Sequence, residues 1–285
     1  MSKTLLFFTP APESRSFEGR WRDVLAAYRK ALAHTDIEVH AAAWTAPLTR
    51  EYDLVCPLIA WGYHNLPEDF AAVLEDLNVA GVKLRNPAEI VAWNIDKRYL
   101  RDLAEAGVRI VPTQFVEHLN KAAIAQARAD FGDALVVKPV FSAGAKNTVV
   151  WREAGVPADG PEGLAMIQPF LPAIQSEGEW SLLFYGGRFS HAVLKTPKSE
   201  DFRSQPDYGA FLRALPPPAE ARALAEAAVG YVGGDKLLYA RADMVRDAAG
   251  RFCLMELELI EPDLYLTYDE QAPSRLAEAF EAAFN

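Results

Sequence analysis

The sequence predicts an α/β protein that opens with a parallel sheet and its crossover helices and continues, as an α+β unit, into antiparallel hairpins. Three observations lead to this fold class. Short apolar runs alternate with helical segments over residues 1–85, tight glycine turns join alternating segments in the second half, and 51% of the 285 residues are hydrophobic. A chain of this length holds about two domains.

The first elements follow the order strand, helix, strand, strand, helix, which is typical of an open parallel sheet. Apolar runs and helical spacing place them at Thr4–Phe8, Glu18–Ala33, Ile37–Ala43, Asp53–Ala60 and Pro67–Leu77. Pro57 lies inside the third strand and is expected to shorten it. Residues 1–85 are therefore predicted to form one N-terminal α/β domain.

A long helix is predicted next, with Asn86 as its N-cap, Pro87 in its first turn and Gly107 at its end. A small polar loop, Ser142–Asn147, lies among the elements that follow. These are a helix at Asn120–Phe131 and strands at Thr113–Glu117, Ala134–Lys138, Thr148–Trp151 and Leu164–Gln168. Residues 86–170 are predicted to form a linking helix and a small subdomain.

From Glu179 onward the pattern becomes antiparallel. Two hairpins are predicted, Trp180–Tyr185 with Phe189–Leu194 and Leu237–Val245 with Arg251–Ile260. Between them lie the polar loop Thr196–Gly209 and an Ala-rich helix that ends near Gly233, and a helix at Gln271–Phe280 closes the chain. Residues 171–285 are therefore predicted to form a C-terminal subdomain.

Composition excludes several classes of function. The chain carries 29 Lys and Arg against 39 Asp and Glu, a net charge of −10, which argues against nucleic acid or an anionic membrane as partner. Cys56 and Cys253 lie far apart in apolar runs, where buried small side chains are expected rather than a disulfide. No apolar run approaches the ~20 residues of a spanning helix, and no signal peptide is recognised, so a cytoplasmic protein is expected.

The last hairpin carries three carboxylates. Asp243 lies on its first strand, and Glu256 and Glu258 lie two residues apart on its second strand, so both point to one face. Oxygen ligands of this kind suit Mg²⁺. The alternative is an ordinary solvated sheet face, with Met255 and Leu257 filling the other side, and the spacing alone favours that alternative.

Basic residues form a second group. Lys138 ends a buried strand just before the SAGAKN loop, a position from which it can reach a phosphate, although a surface lysine is an equally good interpretation. The loop lacks the G-x-x-x-x-G-K-[ST] spacing and, alone, favours a plain surface turn. No G-x-S-x-G or H-E-x-x-H motif indicates a protein nucleophile or a zinc site.

The order of these motifs from Asn86 to Leu266 resembles the ATP-grasp superfamily of carboxylate–amine ligases, in particular its glutathione-synthetase-like branch. The segments that carry the resemblance are NIDKRYL, LVVKPVFSAGAKN, MIQPFLPAIQSEGEW, HAVLKTP, YARADMV and FCLMELELIEPDLYL. It implies an ATP-grasp fold in which residues 86–170 include a lid over ATP and residues 171–285 carry the magnesium site. The ELELIEP run and the DFRSQ loop are also similar to the O-ureido-serine cyclo-ligases of D-cycloserine biosynthesis.

The resemblance also implies roles for individual residues. Contacts with ATP are implied for Lys97, Lys138, Ser142, Gln168, Pro169, Phe170, Leu171 and Glu179, with Glu179 at the ribose. Lys195 would meet the terminal phosphates, Arg241 would stabilise the acyl phosphate or the oxyanion, and Asp243, Glu256 and Glu258 would bind two Mg²⁺ ions, with Mn²⁺ as an alternative. An exposed loop position is the alternative for Glu179.

Two positions depart from the glutathione-synthetase pattern. Glu258 stands where that branch often has Asn, and Ser181 stands where it tends to have a basic residue. An additional carboxylate still suits Mg²⁺, whereas Ser181 leaves the substrate class open.

The implied activity is ATP-dependent ligation of a carboxylate and an amine through an acyl phosphate, releasing ADP and phosphate, on a small amino-acid-like molecule and with cyclisation as one form. The partners are thus small molecules, and a homodimer is compatible with the pattern. The alternatives are a non-catalytic nucleotide-binding protein of the same fold and a nucleotide-independent sugar or amino-acid binder.

Substrate contacts are expected from two loops. In Thr196–Gly209, which also holds Lys198 and Gln205, Arg203 is expected to present a planar donor to a carboxylate or an acyl phosphate. This long polar loop lacks a hydrophobic pattern and is not expected to pack as core. A mobile surface connection is the equally weighted alternative to a functional role. Ser14, Arg15, Trp61 and His64 follow strand ends in the N-terminal domain, although ordinary loop residues are an interpretation at least as good.

Overall fold

The structure is a computed structural model. It describes residues 3–14, 17, 19–144, 146–198, 203–204 and 209–285. The N-terminal sheet is parallel in the order β2-β1-β3. Its strands and the two helices beside them are β1 (Lys3–Thr9), α1 (Arg20–Ala31), β2 (Ile37–Ala43), β3 (Leu54–Cys56) and α2 (Pro67–Val79). The predicted parallel α/β unit is therefore confirmed, and its third strand ends directly before Pro57, because proline cannot donate to the ladder.

The predicted linking helix is two helices, α3 (Ala88–Ile95) and α4 (Tyr99–Glu105). The prediction of one continuous helix is wrong because the backbone becomes extended at Asp96 and the N–H of Lys97 donates to the carbonyl of Val140, 3.3 Å away. Lys97 therefore lies in a break between helices, where its backbone is bonded to the segment after the predicted phosphate strand.

Asn86 does not cap the helix, and that prediction is also wrong, since Pro87 is the N-cap. The Asn86 side chain is fully buried and donates from Nδ2 to the carbonyls of Tyr239 (2.9 Å) and Leu259 (2.7 Å). Its Oδ1 accepts from the N–H of Leu238 at 2.8 Å. Asn86 thus joins the linking segment to the two strands that carry the predicted metal ligands.

We expect Asn86→Ala to lower the free energy of unfolding by about 3 kcal/mol, because buried carbonyls and an N–H would lose their partners. Urea denaturation of the variant and the wild type measures this difference. The matched control is Asn78→Ala, at an exposed position near the end of α2, which should stay within about 0.5 kcal/mol. Equal stability of the two variants would contradict the structural role of Asn86.

A second sheet is antiparallel in the order β4-β7-β5-β6. It consists of β4 (Gln114–Val116), β5 (Leu135–Pro139), β6 (Val149–Trp151) and β7 (Ala165–Pro169), with α5 (Lys121–Phe131) on one face. Buried Leu135, Val137 and Ile167 pack against Ile124 and Ala127 of α5, so this sheet has a small core of its own. We call it the lid sheet.

The third sheet, the C-terminal sheet, has the order β10-β9-β8-β11-β12. Its strands are β8 (Glu179–Tyr185), β9 (Arg188–Thr196), β10 (Phe211–Ala214), β11 (Tyr239–Arg246) and β12 (Phe252–Glu258). The helices in this part of the chain are α6 (Ala173–Ser176), α7 (Ala219–Tyr231) and α8 (Ala272–Ala283). Both predicted hairpins are confirmed. Gly187 is required in the first turn, because its φ is +72° and a Cβ there would lie 2.5 Å from the backbone of Gly234. Strand β10 was not predicted, since it is a four-residue edge strand without a buried face.

The two faces of the C-terminal sheet pack differently. Leu182, Phe184 and Met244 lie in the core that contains the buried side chains of α4 and α7. Leu183 and Tyr239 point to the other face and share a core with the N-terminal domain and α8. This second face carries the candidate site. Every helix in the described ranges is too short or too polar to cross a membrane.

Candidate active site

The face of the C-terminal sheet that meets the N-terminal domain is apolar at one end and charged at the other. On β8, Leu183 and Tyr185 belong to the core, whereas Glu179 and Ser181 continue the same alternation with polar side chains. Strand pairing extends the polar end across four strands, with Glu179 opposite Lys195, Ser181 opposite Asp243, Asp243 opposite Glu256, and Arg241 opposite Glu258. The register therefore brings distant acidic and basic residues into one row.

Asp243 is the buried centre of this row. Its Oδ1 accepts from the Ser181 hydroxyl at 2.5 Å, its Oδ2 accepts from Arg241 Nη2 at 3.0 Å, and Lys195 Nζ lies 3.4 Å from Oδ1. Burial opposes ionisation of Asp243, but Arg241 and Lys195 outweigh it and lower the pKa of this carboxyl to about 2. Asp243 is therefore a carboxylate at neutral pH.

Lys195 is 1% exposed and lies between two carboxylates, those of Glu179 and Asp243. Burial disfavours its charge, yet Asp243 and Glu179 raise the pKa of Lys195 above its usual value. The Ser204 hydroxyl also donates to Glu179. Glu179 is thus a buried strand residue, so the alternative of an exposed loop position is wrong; its contact with ribose stays a prediction.

Glu256 and Glu258 lie at the edge of the row, with side chains that are 28% and 26% exposed. Lys97 Nζ donates to Glu256 Oε1 at 2.5 Å, and Arg241 donates to Glu258. A β-bulge leaves Met255 without a partner and brings Glu256 opposite Asp243. The alternative of an ordinary solvated face is therefore wrong, since both glutamates are engaged by basic side chains.

The pKa values of these two glutamates move in opposite directions. Burial would raise the pKa of Glu256, but Lys97 and Lys138 outweigh it and lower that pKa. Burial raises the pKa of Glu258 to about 7, and the negative charges of Glu256 and Asp243 add to this rise despite Arg241. Because burial is the main cause of this rise, an added cation beside Glu258 would favour the ionised form of its carboxyl.

In the part of the chain that the structure describes, no three His, Cys, Asp or Glu side chains converge closely enough to hold a metal ion by themselves. Asp243, Glu256 and Glu258 each contact a basic residue instead. Their chemistry still fits Mg²⁺, because that ion takes one or two protein carboxylates and completes its shell with water and phosphate oxygens. The metal assignment of the three carboxylates stays a prediction.

Of the predicted phosphate lysines, Lys97 connects the loop after β5 to the C-terminal sheet. Besides Glu256, Lys97 Nζ binds the carbonyl oxygen of Ser142, 2.7 Å away. Lys138 is half-buried on β5, and burial lowers the pKa of its amino group, against the opposing effect of Glu256. Ser142 thus contributes its carbonyl to the position of Lys97, while its hydroxyl faces the carbonyl of Pro139 at 3.3 Å.

The predicted adenine segment connects the lid sheet to α6. Gln168 is buried and donates from Nε2 to the Thr113 hydroxyl at 2.8 Å, and the N–H of Phe170 donates to the carbonyl of Ala134 at 2.8 Å. Pro169 has no N–H to offer, and the carbonyl of Leu171 accepts from Ile174. The amides of Gln168 to Leu171 are thus partly engaged within the lid, and their contact with adenine stays a prediction.

Only Arg203 and Ser204 are described between residues 198 and 209, so Gln205 lies outside the described residues. Ser204 is 1% exposed and contacts Glu179, so the expectation that this loop stays out of the packed interior is wrong at Ser204. Arg203 is half-buried beside it. The role of Arg203 stays a prediction.

A short 3-10 turn of the N-terminal domain, Tyr63–Asn65, lies next to the SAGAKN loop. Burial, together with the charges of Lys146 and Lys97, lowers the pKa of His64 to about 4. The buried Nδ1 of His64 has no hydrogen-bond partner among the described residues. Lys146 donates to Asn65 Oδ1 at 3.0 Å and so joins the SAGAKN loop to this turn.

The other predicted substrate residues lie close by. The Trp61 ring contacts the Arg20 guanidinium at 5.3 Å and the Phe17 ring at 5.8 Å, and Ser14 approaches Gly62. Arg15 lies outside the described residues.

The sequence analysis did not predict a role in the site for three residues, Ser181, Ser204 and Glu261. Ser181 could have been found from its position two residues after Glu179 on one strand, since both then share a face. Glu261 lies three residues after Glu258, and burial, with the charge of Glu258 adding to it, raises the pKa of Glu261 to about 8. No sequence pattern marks Ser204.

Comparison with known proteins gives a consistent result. Residues 11–86 match the family described as the N-terminal domain of D-cycloserine synthetase DcsG. Over 245 residues the chain is 31% identical to the cycloserine biosynthesis protein DcsG of Streptomyces lavendulae, an alignment that covers 77% of this chain and 79% of that protein. The crystal structure of D-cycloserine synthetase DcsG matches with a TM-score of 0.84 and 25% identity, over 99% of this chain and 100% of that chain.

Two further solved structures are similar in fold. D-alanine–D-alanine ligase from Bacillus anthracis complexed with ATP matches with a TM-score of 0.70 and 15% identity, over 99% of this chain and 97% of that chain. The ATP-grasp ligase PsnB complexed with its minimal precursor, Mg and ADP matches with a TM-score of 0.66 and 15% identity, over 100% of this chain and 98% of that chain. The predicted ATP-grasp fold is therefore confirmed.

Proposed function

Because the chain belongs to the D-cycloserine synthetase (DcsG) family and has the ATP-grasp fold, we propose that it is an ATP-dependent carboxylate–amine ligase that works through an acyl phosphate. One observation supports this best: a row of paired acidic and basic side chains runs along one face of the C-terminal sheet and ends at Lys97, which also contacts Ser142 after the lid strand β5. The proposed substrate is a small amino acid of the O-ureido-serine type, ligated intramolecularly.

In this proposal Lys97 and Lys138 bind the phosphates of ATP. The Lys97 amino group contacts Glu256, and burial lowers the pKa of Lys138 although the charge of Glu256 opposes that shift. An anionic phosphate would stabilise the charged amino groups of both lysines through charge-assisted hydrogen bonds. Lys195 then lies farther along the row as the proposed partner of the terminal phosphate.

The three carboxylates would hold two Mg²⁺ ions, or Mn²⁺ in their place. When bound, these ions offset negative charge on the phosphoryl group that is transferred. Asp243 is ionised at neutral pH, and a cation would favour the ionised form of Glu258, whose pKa is raised mainly by burial. Both observations support a cation at this edge of the sheet.

A carboxylate is a poor electrophile until an oxygen is phosphorylated. The γ-phosphoryl group of ATP passes to that oxygen, the amine attacks the resulting acyl phosphate, and inorganic phosphate leaves. Arg241 is proposed to stabilise the developing negative charge, because its guanidinium is fixed by Asp243, by the carbonyl of Asp263 at 3.3 Å, and by the Tyr265 ring at 5.6 Å. Arg203 is the proposed second donor.

Incubation of the purified protein with ATP, Mg²⁺ and a panel of amino acids tests the proposed activity. The panel contains D- and L-O-ureidoserine, D-alanine and L-alanine, and ADP release is measured by a coupled assay. We expect ADP release above the ATPase background with O-ureidoserine. ATP binding without ADP release for every member would favour the non-catalytic nucleotide-binding alternative.

We expect Lys138→Ala to raise the Kd for ATP about 10-fold or more, because a phosphate would lose a charge-assisted hydrogen bond in a half-buried site. Calorimetry with ATP measures this change. Lys121→Ala, at an exposed position on α5 of the lid, is the matched control and should bind ATP as the wild type does. An unchanged Kd in Lys138→Ala would identify Lys138 as an ordinary surface lysine.

A further inference from the structure

A cavity of about 380 Å³ lies where the end of the N-terminal domain, the start of α3 and the 3-10 turn Gly234–Lys236 meet. Three of its lining side chains are basic, those of Lys83, Arg85 and Lys236, and Glu89 is the one acidic side chain among the described residues that line it. Small-molecule sites have volumes of roughly 300–1,000 Å³. The cavity therefore has the size of a ligand site, and its lining carries an excess of positive charge in a protein whose net charge is −10.

Two of the basic side chains are fixed by backbone pairing with β3. The N–H of Val55 donates to the carbonyl of Lys83, and the N–H of Arg85 donates to the carbonyl of Val55, both at 2.9 Å. Leu84, between them, is 4% exposed and packs in the core of the N-terminal domain. Because side chains alternate along an extended segment, Lys83 and Arg85 share the face opposite Leu84.

The third basic residue is brought to this place by the buried side chain of Asn86. Its Oδ1 accepts from the N–H of Leu238 at 2.8 Å, and its Nδ2 donates to the carbonyl of Tyr239 at 2.9 Å. Lys236 lies two residues before Leu238, and its own N–H donates to the carbonyl of Gly233 at 3.0 Å. The basic side chains thus come from two distant parts of the chain that Asn86 holds together.

The protein does not balance these charges itself. Among the described residues, no carboxylate forms an ion pair with Lys83, Arg85 or Lys236. Arg85 donates from Nη1 to the carbonyl of Leu84 at 3.1 Å, which leaves the other N–H groups of its guanidinium for a ligand. Burial, together with the positive charges of Arg85 and Lys3, lowers the pKa of Lys83. A bound anion would offset this crowding of positive charge.

We infer that this cavity binds a small molecule through a phosphate group, at a place separate from the proposed ATP site. A phosphate group carries about two negative charges at neutral pH and three acceptor oxygens, which suit two ammonium groups and the planar donor of Arg85. Val82, Pro87 and Ala88 form an apolar part of the lining, against which the rest of an organic phosphate would pack. The described residues of the lining include none that is assigned above to ATP, metal or substrate, so this inference does not depend on the ligase proposal.

Calorimetry with three probes tests the inference. Inorganic phosphate, phenyl phosphate and benzoate are each titrated into the wild type, with and without Mg²⁺ and a non-hydrolysable ATP analogue. Both phosphates should bind with the same Kd in either condition, and benzoate, with its single charge, should bind at least about 10-fold more weakly than phenyl phosphate. Tighter binding of phenyl phosphate than of inorganic phosphate would identify an organic phosphate as the ligand, and the reverse order would identify the free anion.

Variants locate the binding. Lys83→Gln and Arg85→Gln should each raise the Kd for phosphate about 10-fold, because each removes a charge-assisted hydrogen bond. Lys236→Gln, at an exposed position, should weaken binding in the same direction without risk to the fold. The matched control is Lys30→Gln, an exposed position on α1 with the same change in charge, which should bind phosphate as the wild type does.

Four results would overturn the inference. The first is absence of saturable phosphate binding by the wild type up to about 10 mM. The second is binding that disappears when the ATP analogue is present, since the phosphate would then have occupied the nucleotide site. The third is benzoate binding as tight as that of phenyl phosphate. The fourth is an equal loss of affinity in Lys30→Gln and in the cavity variants, which would reduce the effect to net charge. Failure of ADP release would refute the ligase proposal and leave these results unaffected.

Discussion

Glu256→Gln is expected to reduce ADP formation by about 1000-fold or more while the protein stays folded. The substitution keeps the shape of the side chain but removes the negative charge that faces Lys97 and that would hold Mg²⁺. A loss of this size corresponds to about 4 kcal/mol of transition-state stabilisation, which is within the range supplied by a metal ion at a transferring phosphoryl group.

ADP release at saturating ATP and substrate measures this effect, and a Mg²⁺ titration shows whether the variant needs more metal. The thermal unfolding midpoint establishes that the fold is retained. Glu105→Gln, at an exposed position on α4, is the matched control and should turn over as the wild type does. Turnover close to wild type in Glu256→Gln would remove this carboxylate from the metal site.

Lys195→Met is expected to lower the free energy of unfolding at neutral pH by about 3 kcal/mol or more. Methionine fills a similar volume, but it leaves the buried carboxylates of Glu179 and Asp243 without the amino group that lies between them. Chemical denaturation measures the difference, and Lys30→Met, at an exposed position on α1, is the control that should change stability by less than about 0.5 kcal/mol.

The pH dependence gives this prediction a second readout. The pKa of Asp243 in the folded protein, about 2, lies below that of an unfolded aspartate, about 3.9, so its ion pairs stabilise the wild type above roughly pH 4. That stabilisation is lost as the pH falls from about 4 towards 2. Without Lys195 the folded pKa of Asp243 should rise, so the penalty of Lys195→Met should be largest at neutral pH and shrink in acid. A penalty of the same size across this range would contradict the charge-based explanation.

The order of elements could be predicted from the sequence because it depends on local patterns. Apolar runs, a turn such as Gly186-Gly187 and helix caps such as Asn120 act within a few residues. The break at Lys97 could not be predicted, because it depends on a hydrogen bond to Val140, a residue distant in sequence. The role of Asn86 could not be predicted for the same reason, since its hydrogen-bond partners lie on β11 and after β12.

The spacing in the sequence could place Glu256 and Glu258 on one face of a strand, but it could not predict which side chains lie beside them on that face. The answer depends on strand register and on the bulge at Met255, which together set Glu256 opposite Asp243. Glu179 and Lys195 likewise come together through the hairpin register.

Transfer of an isotope label tests the proposed chemistry most directly. A substrate of the panel that supports ADP release is prepared with oxygen-18 in its carboxylate, and the inorganic phosphate formed by the wild type is analysed by mass spectrometry. An acyl phosphate predicts that one labelled oxygen passes from the carboxylate to each phosphate released, in equal amounts with ADP and the ligated product. Unlabelled phosphate released together with the ligated product would contradict the proposed mechanism.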